Sequence, residues 1–168
     1  MPCRWRYGSA MRDAAQRVAA ITLDERSVVR RSPAIEHERE AAITDLLKDN
    51  QFAPLSGRAG PFHLNLAIAE NRLAIEVRAP ADGSSETIVL PLAPFRRIVK
   101  DYFLVCESYY EAIRCKNLAR IEAIDVGRRS LHDEGSALLI ERLAGKVRID
   151  HATARRLFTL ICVLHLRA

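Results

Sequence analysis

The chain of 168 residues lacks most of the short motifs that identify an enzyme from its sequence. Its seven glycines match neither GxxxxGK[ST] nor GxGxxG, so the two common phosphate-binding loops are excluded. There is no GxSxG nucleophile elbow and no HExxH helix. These absences leave nucleotide binding through such loops, and two familiar classes of hydrolase, without support.

Cysteine is scarce and unclustered. The cysteines form no CxxC pair, and the Cys and His residues are not spaced for a structural zinc site. The four positions are Cys3, Cys106, Cys115 and Cys162. We therefore expect buried, inert thiols in a reducing compartment, with no metal and no cofactor.

Long apolar runs are also missing. The longest, Leu157–Leu166, has ten residues, whereas a membrane-spanning helix needs about twenty. The N-terminus carries arginines without the apolar region of a secretory signal. We therefore expect a cytoplasmic protein with no membrane segment.

The net charge of +5 is unevenly distributed along the chain. Residues 1–31 hold seven Arg against three acidic residues, which gives +4, whereas residues 32–168 hold 19 basic and 18 acidic residues, which gives +1. Met11 can serve as an alternative start. We therefore expect residues 1–16 to be a disordered or non-native extension, followed by a single domain over residues 17–168. A nearly neutral body does not favour nucleic acid.

Alternation of apolar residues with a period of two predicts a small sheet. Strands are predicted over residues 18–23, 62–69, 72–78 and 86–92. Glu70 and Asn71 form a tight hairpin connection, and Pro91 places the last strand at an edge because proline cannot donate to a ladder. The three later strands form an antiparallel meander.

Helical periodicity dominates the rest of the chain. Helices are predicted to begin around Ser32, Pro94, Asn117, Ser130 and Asp150. Gly127 is expected to end the third of them, since glycine costs about 1 kcal/mol inside a helix. The fold class is therefore α+β, with a small antiparallel sheet of three to four strands packed on one side by a mostly helical C-terminal half.

The segment GRRSLHDEGS is the first candidate site, because it concentrates acid–base groups and arginines. Its candidate catalytic residues are His132, Glu134 and the nearby Asp125. A structural role is the alternative, in which Asp133 and Glu134 complement the positive end of a helix that Ser130 caps. We favour the structural role, because it already accounts for each residue.

Arginine outnumbers lysine by 22 to 4, and its planar fork suits carboxylate and phosphate. The candidate binding residues are Arg96, Arg97, Arg128, Arg129 and Tyr110. Tyr110 falls outside the apolar side of the central helix and is an expected interface anchor. Because neighbours on a helix point about 100° apart, ion pairing or a protein interface is favoured over RNA binding.

Glu36, His37, Glu38 and Glu40 form an acidic cluster on the first helix. Glu36 and Glu40 are one turn apart, which would allow them to share a metal ion. No third ligand follows at helical spacing. A solvated helix face is therefore the favoured interpretation of the cluster, and we predict no metal.

Several longer segments are similar to those of a known family: LAPFRRIVKDYFLVCESYYEAIR, GRRSLHDEGS and DHATARRLFTLICVLHL, with IEHERE and NQFAP before them. Over about residues 17–168 the chain resembles an uncharacterised protein family of small alphaproteobacterial proteins. The resemblance implies a bacterial cytoplasmic setting and assigns no functional residue.

The sequence alone does not assign an activity. We expect a non-catalytic protein-interaction module with a protein partner or a homodimer. An RNA- or ribosome-associated protein is the alternative, and a small enzyme using the cluster around His132 is the second alternative. An exposed apolar patch would favour the first, one-sided clustering of Arg96, Arg128 and Arg155 the second, and a pocket around His132 the third.

Overall fold

The computed structural model describes residues 15–26 and 32–165. Four helices and six strands lie in these residues: β1 (Val18–Leu23), α1 (Pro33–Lys48), β2 (Phe52–Pro54), β3 (Phe62–Ala69), β4 (Arg72–Ala79), β5 (Ser84–Pro91), α2 (Arg96–Arg114), α3 (Leu118–Leu143), β6 (Val147–Ile149) and α4 (His151–Leu164). A 3₁₀ turn, Ala93–Phe95, leads into α2. The predicted α+β class with a helical C-terminal half is confirmed.

A four-stranded mixed sheet in the order β1-β3-β4-β5 forms one layer. β3, β4 and β5 are antiparallel neighbours, as predicted, and β5 lies at an edge. The turn residues Glu70 and Asn71 both have positive φ, which matches the twist of a tight hairpin. The expectation of a wholly antiparallel sheet is wrong for β1, which pairs in parallel with β3. Alternation reports which face of a strand is buried and carries no information on strand direction.

One face of this sheet and the helices share a hydrophobic core. Leu64 and Leu66 of β3 and Ile75 of β4 belong to the same buried cluster as Tyr102 of α2 and Phe158 of α4. The short strands β2 and β6 form a separate antiparallel pair. They join the segment after α1 to the segment before α4, so the two helices are held together at one end.

Three of the predicted helix starts are confirmed by their capping hydrogen bonds. The side chain of Ser32 accepts from the Ile35 amide at 3.3 Å, and that of Asp150 accepts from the Thr153 amide at 3.0 Å. Asn117 accepts from the amide of Arg120 at 3.1 Å. Capping depends on local geometry, which a sequence pattern records well.

The predicted break between Gly127 and Ser130 is wrong, because α3 is one helix of 26 residues. Gly127 and Ser130 lie in its interior, so Ser130 caps nothing, and Asp133 and Glu134 are far from a helix terminus. The physical reason is tertiary packing. α3 packs along α2 and α4, and that burial outweighs the cost of about 1 kcal/mol for one glycine.

The side chain of Gln16 is hydrogen-bonded to the segment that precedes β3. It donates to the carbonyl of Arg58 at 3.2 Å and accepts from the amide of Gly60 at 3.0 Å. Residues 1–14 lie outside the described residues, so the dispensable extension over residues 1–16 stays a prediction. Within the described part of the chain, no helix has both the length and the apolar composition to cross a membrane.

Gly135, a second glycine of α3, has a different role from Gly127. A Cβ atom at Gly135 would lie 2.4 Å from the ring of Phe158, whereas a Cβ at Gly127 would meet nothing within 4 Å. The ring of Phe158 is fully buried. Gly135 therefore permits the close approach of α3 and α4.

We predict opposite effects for alanine at these two glycines. Gly127→Ala should raise the free energy of unfolding by about 0.5 to 1 kcal/mol, because alanine is the better helix former. Gly135→Ala should lower it by about 1 to 3 kcal/mol through overpacking against Phe158. Denaturant melts of both variants measure this. A loss of stability in Gly127→Ala would contradict the continuous helix.

Candidate functional site

A cleft of about 690 Å³ opens among the four helices, with side chains from each of them in its lining. Its charged lining consists of four arginines and two acidic residues: Arg128, Arg129, Arg155, Arg156, Glu38 and Asp45. The other polar residues of the lining are three histidines, two tyrosines and one threonine: His37, His132, His151, Tyr109, Tyr110 and Thr159. The volume suits a small molecule.

Glu38 is the most buried acidic group of the cleft, with 7% of the residue exposed. Its carboxylate accepts hydrogen bonds from the hydroxyls of Tyr102 at 3.0 Å and Tyr110 at 3.2 Å. Arg128 donates to the same carboxylate through Nη1 at 2.9 Å. Three donors, one of them the cationic Arg128, compensate the buried charge, which would otherwise be costly. Burial and the neighbouring Glu38 raise the pKa of Tyr110, so its hydroxyl stays a donor.

Arg128 is held from three sides. Besides Glu38, its guanidinium binds Asp125 through Nε at 3.2 Å and Nη2 at 3.0 Å. The guanidinium carbon also lies 4.4 Å from the ring centroid of Tyr109, a cation–π geometry. Arg129 shares the same acid, with Nη2 2.7 Å from Asp125. Asp125 therefore neutralises arginines of the cleft.

His132 lies in the cleft wall and is largely buried, with 8% of the residue exposed. Its Nε2 is 3.3 Å from the hydroxyl of Thr159, which itself donates to the carbonyl of Arg155 at 3.0 Å. Because that hydroxyl hydrogen is already used, the neutral ring donates through Nε2. Burial, together with the nearby Arg155, lowers the pKa of His132 to about 4, so the ring is uncharged at neutral pH.

The structure divides the predicted site residues into two groups. Arg128, Arg129, His132 and Tyr110 line the cleft, and Asp125 supports it. Arg96, Arg97 and Glu134 do not line it. Arg96 and Arg97 are exposed at the start of α2, where Arg97 pairs with Glu134 and Asp101. Asp133 pairs with His151 at 3.3 Å, which replaces the helix-terminus role expected for it.

The expectation of a solvated face is wrong for Glu38 and holds for its neighbour Glu40, which is exposed. The position of Glu38 in the sequence predicts its burial. Glu38 lies three residues after Ile35 and four before Ala42, on the apolar stripe that α1 buries. Among the described residues, no group of three or more metal-ligating side chains is close enough to hold a metal ion.

The expected burial of the thiols is confirmed for Cys106 and Cys162 and is wrong for Cys115, which is exposed beyond the end of α2. Cys3 lies outside the described residues. Burial raises the pKa of Cys106 to about 12 and that of Cys162 well above its ordinary value. Both buried thiols are therefore protonated and poor nucleophiles.

We predict that Glu38 is essential to stability. Glu38→Ala should lower the free energy of unfolding by about 2 to 4 kcal/mol, because two tyrosine hydroxyls lose their acceptor and Arg128 keeps only Asp125. Glu40→Ala on the exposed side of the same helix is the control and should stay within about 0.5 kcal/mol of the parent. Equal effects in urea melts would contradict the role of the buried carboxylate.

We also predict a contribution of His132 to the pH dependence of stability. The pKa is about 4 in the folded protein and 6.5 for an ordinary histidine. Unfolding therefore takes up a proton between these values, and stability falls as the pH drops from about 6.5 to about 4, by roughly 3 kcal/mol in all. Denaturant melts at pH 7 and pH 4.5 should show a smaller loss for His132→Gln. Identical losses of stability in the parent and the variant would refute this contribution of His132.

Comparison with known proteins places the chain among relatives over nearly its whole length. It matches the family described as "Uncharacterised protein family (UPF0262)" over residues 15–167. The UPF0262 protein of Rhodospirillum rubrum is 60% identical over 147 residues, which are 88% of this chain and 91% of that relative. A UPF0262 protein of Rhodopseudomonas palustris strain TIE-1 is 58% identical over 153 residues, or 91% of this chain and 94% of the relative.

A UPF0262 protein of Nitrobacter hamburgensis is similar to the same extent, with 57% identity over 153 residues that cover 91% of this chain and 93% of the relative. No solved structure matches the chain. The names of these relatives state no activity, ligand or partner. The resemblance noted in the sequence is confirmed, and the chain belongs to the uncharacterised protein family UPF0262.

Proposed function

We propose that this protein binds a small anionic ligand, one that carries a phosphate or carboxylate group, in the cleft among its four helices. The observation that carries the proposal is the state of Arg155 and Arg156. Both line the cleft, and neither forms an ion pair with another described residue. Arg128 and Arg129, by contrast, are already neutralised by Glu38 and Asp125.

The charge of the lining supports an anion. Four arginines face the lining acids Glu38 and Asp45 together with Asp125, which binds Arg128 and Arg129, so a formal charge of +1 remains, and His132 adds none at neutral pH. Both arginines of α4 lie in its first turns, on a rigid helix that Asp150 caps. Arginine forks on such a support bind a planar or tetrahedral oxyanion with little loss of side-chain entropy.

The same geometry supports a small ligand over RNA. Arg96 lies on the surface at the start of α2 and is not part of the cleft that holds Arg128 and Arg155. The three arginines whose one-sided clustering would favour an RNA-binding protein are therefore divided between two places. A concave cleft of about 690 Å³ also fits the usual size of a small-molecule site. We place the function in the cytoplasm of the bacterium.

A protein partner or a homodimer stays a prediction. Leu118 and Val126 on α3, 75% and 69% exposed, are the apolar side chains through which such contact would be made. A reaction that uses His132 is supported less well. The ring is buried, and its low pKa makes it a weak base at neutral pH.

We predict that the full chain binds inorganic phosphate or acetate, measured by isothermal titration at constant ionic strength. Arg155→Gln or Arg156→Gln should weaken that binding roughly tenfold, since a hydrogen-bonded ion contact is worth about 1.5 kcal/mol or more. Arg142→Gln removes one exposed charge of α3 outside the cleft and should change nothing beyond twofold. Equal weakening in all three variants would reduce the effect to net charge and contradict the site.

A further inference from the structure

An aromatic wall faces the same cleft from α1 and α2. The rings of His37 and Tyr110 meet edge to face, with centroids 5.7 Å apart and planes at 70°. Tyr110 and Tyr109 repeat this arrangement at 5.4 Å and 86°. All three side chains line the cleft, and His37 is exposed. The wall therefore presents ring surfaces to whatever occupies the cleft.

Polar contacts fix this wall in place. The hydroxyl of Tyr110 donates to Glu38, and the guanidinium of Arg128 lies over the ring of Tyr109. Both tyrosines are only half buried. A preorganised aromatic surface binds a flat group at low entropic cost. Neither tyrosine belongs to the buried hydrophobic core, whereas Tyr102 on the same helix does.

Building on the proposed function, we propose that the ligand is an aryl anion: a planar aromatic ring that carries a phosphate or carboxylate group. Its ring packs against His37 and Tyr110, and its anionic group binds Arg155 and Arg156. The cleft, at about 690 Å³, has room for both parts. A single ligand then contacts α1 and α2 through its ring and α4 through its anionic group.

The two walls make separable contributions to affinity. The arginines supply a charge contact that any phosphate or carboxylate experiences. The aromatic wall supplies ring contact, worth roughly threefold to tenfold in affinity beyond the burial of apolar area. An alkyl anion of the same charge and similar size gains the charge contact with the arginines but little of the ring contact. The difference in affinity between an aryl anion and an alkyl anion therefore measures the contribution of the aromatic wall.

The test compares phenyl phosphate with propyl phosphate, and benzoate with butyrate, by isothermal titration of the full chain. Within at least one pair the aromatic member should bind roughly threefold to tenfold more tightly. His37→Leu and Tyr110→Leu should reduce that preference, expressed as the ratio of the two Kd values, to about twofold or less. Tyr110→Phe keeps the ring, loses only the hydroxyl and should retain the preference. Arg155→Gln should weaken both members of a pair equally.

The outcomes separate this inference from the proposed function. Equal binding of aromatic and alkyl anions, weakened by Arg155→Gln, would overturn the aryl ligand and leave the anion site standing. Absence of binding by all four compounds would overturn both. If Tyr110→Leu fails to fold, His37→Leu decides, because that ring is exposed at the cleft. The phosphate and carboxylate pairs also show which anionic group the arginines accept.

Discussion

The buried carboxylate of Glu38 is the interaction on which the helical half of this protein depends. It accepts from Tyr102 and Tyr110 of α2 and from Arg128 of α3, so one side chain of α1 ties three helices together. A buried charge tolerates no gap in its partners, because each missing donor leaves an uncompensated desolvation cost. The relative position of the helices is therefore constrained more tightly than apolar packing alone would require.

The cleft follows from the same constraint. Glu38 of α1 and Arg128 of α3 meet through a polar contact, and the guanidinium of Arg128 also lies over the ring of Tyr109, so this part of the helical half is lined by polar and aromatic groups. A short distance away α3 and α4 pack in close contact, because Gly135 leaves room for the ring of Phe158. The change from close packing at Phe158 to a polar contact between His132 and Thr159 occurs within one turn of α4. His132 and Thr159 line the cleft, whereas Phe158 does not.

Local features of this fold could be predicted from the sequence, whereas features set by tertiary contact could not. The caps at Ser32, Asn117 and Asp150 and the hairpin at Glu70 depend on neighbouring residues only, and they were predicted correctly. The break at Gly127 was wrong because packing along the whole of α3 decides whether a helix continues.

The direction of β1 and the burial of Glu38 are features set by tertiary contact. Parallel pairing of β1 with β3 is decided by the path of the chain through α1 and leaves no mark on alternation. Glu38 lies on the apolar stripe of α1, and this position predicts burial, whereas its charge favours a solvated face. A charged residue at a core position of a helix indicates a compensated buried site, and the acceptable partners are tyrosine and arginine on neighbouring helices.

The distribution of arginine shows why net charge is a poor guide to the function of this protein. The region after residue 31 sums to +1, a value typical of a protein without anionic partners. The fold nevertheless gathers four of its arginines into one cleft, whose lining includes only two acidic residues, Glu38 and Asp45. Two of the four are neutralised locally by Glu38 and Asp125, so a local excess of charge remains on α4. A ligand responds to the field within the cleft and not to the sum over the chain, and that field is set by which arginines the fold leaves unpaired.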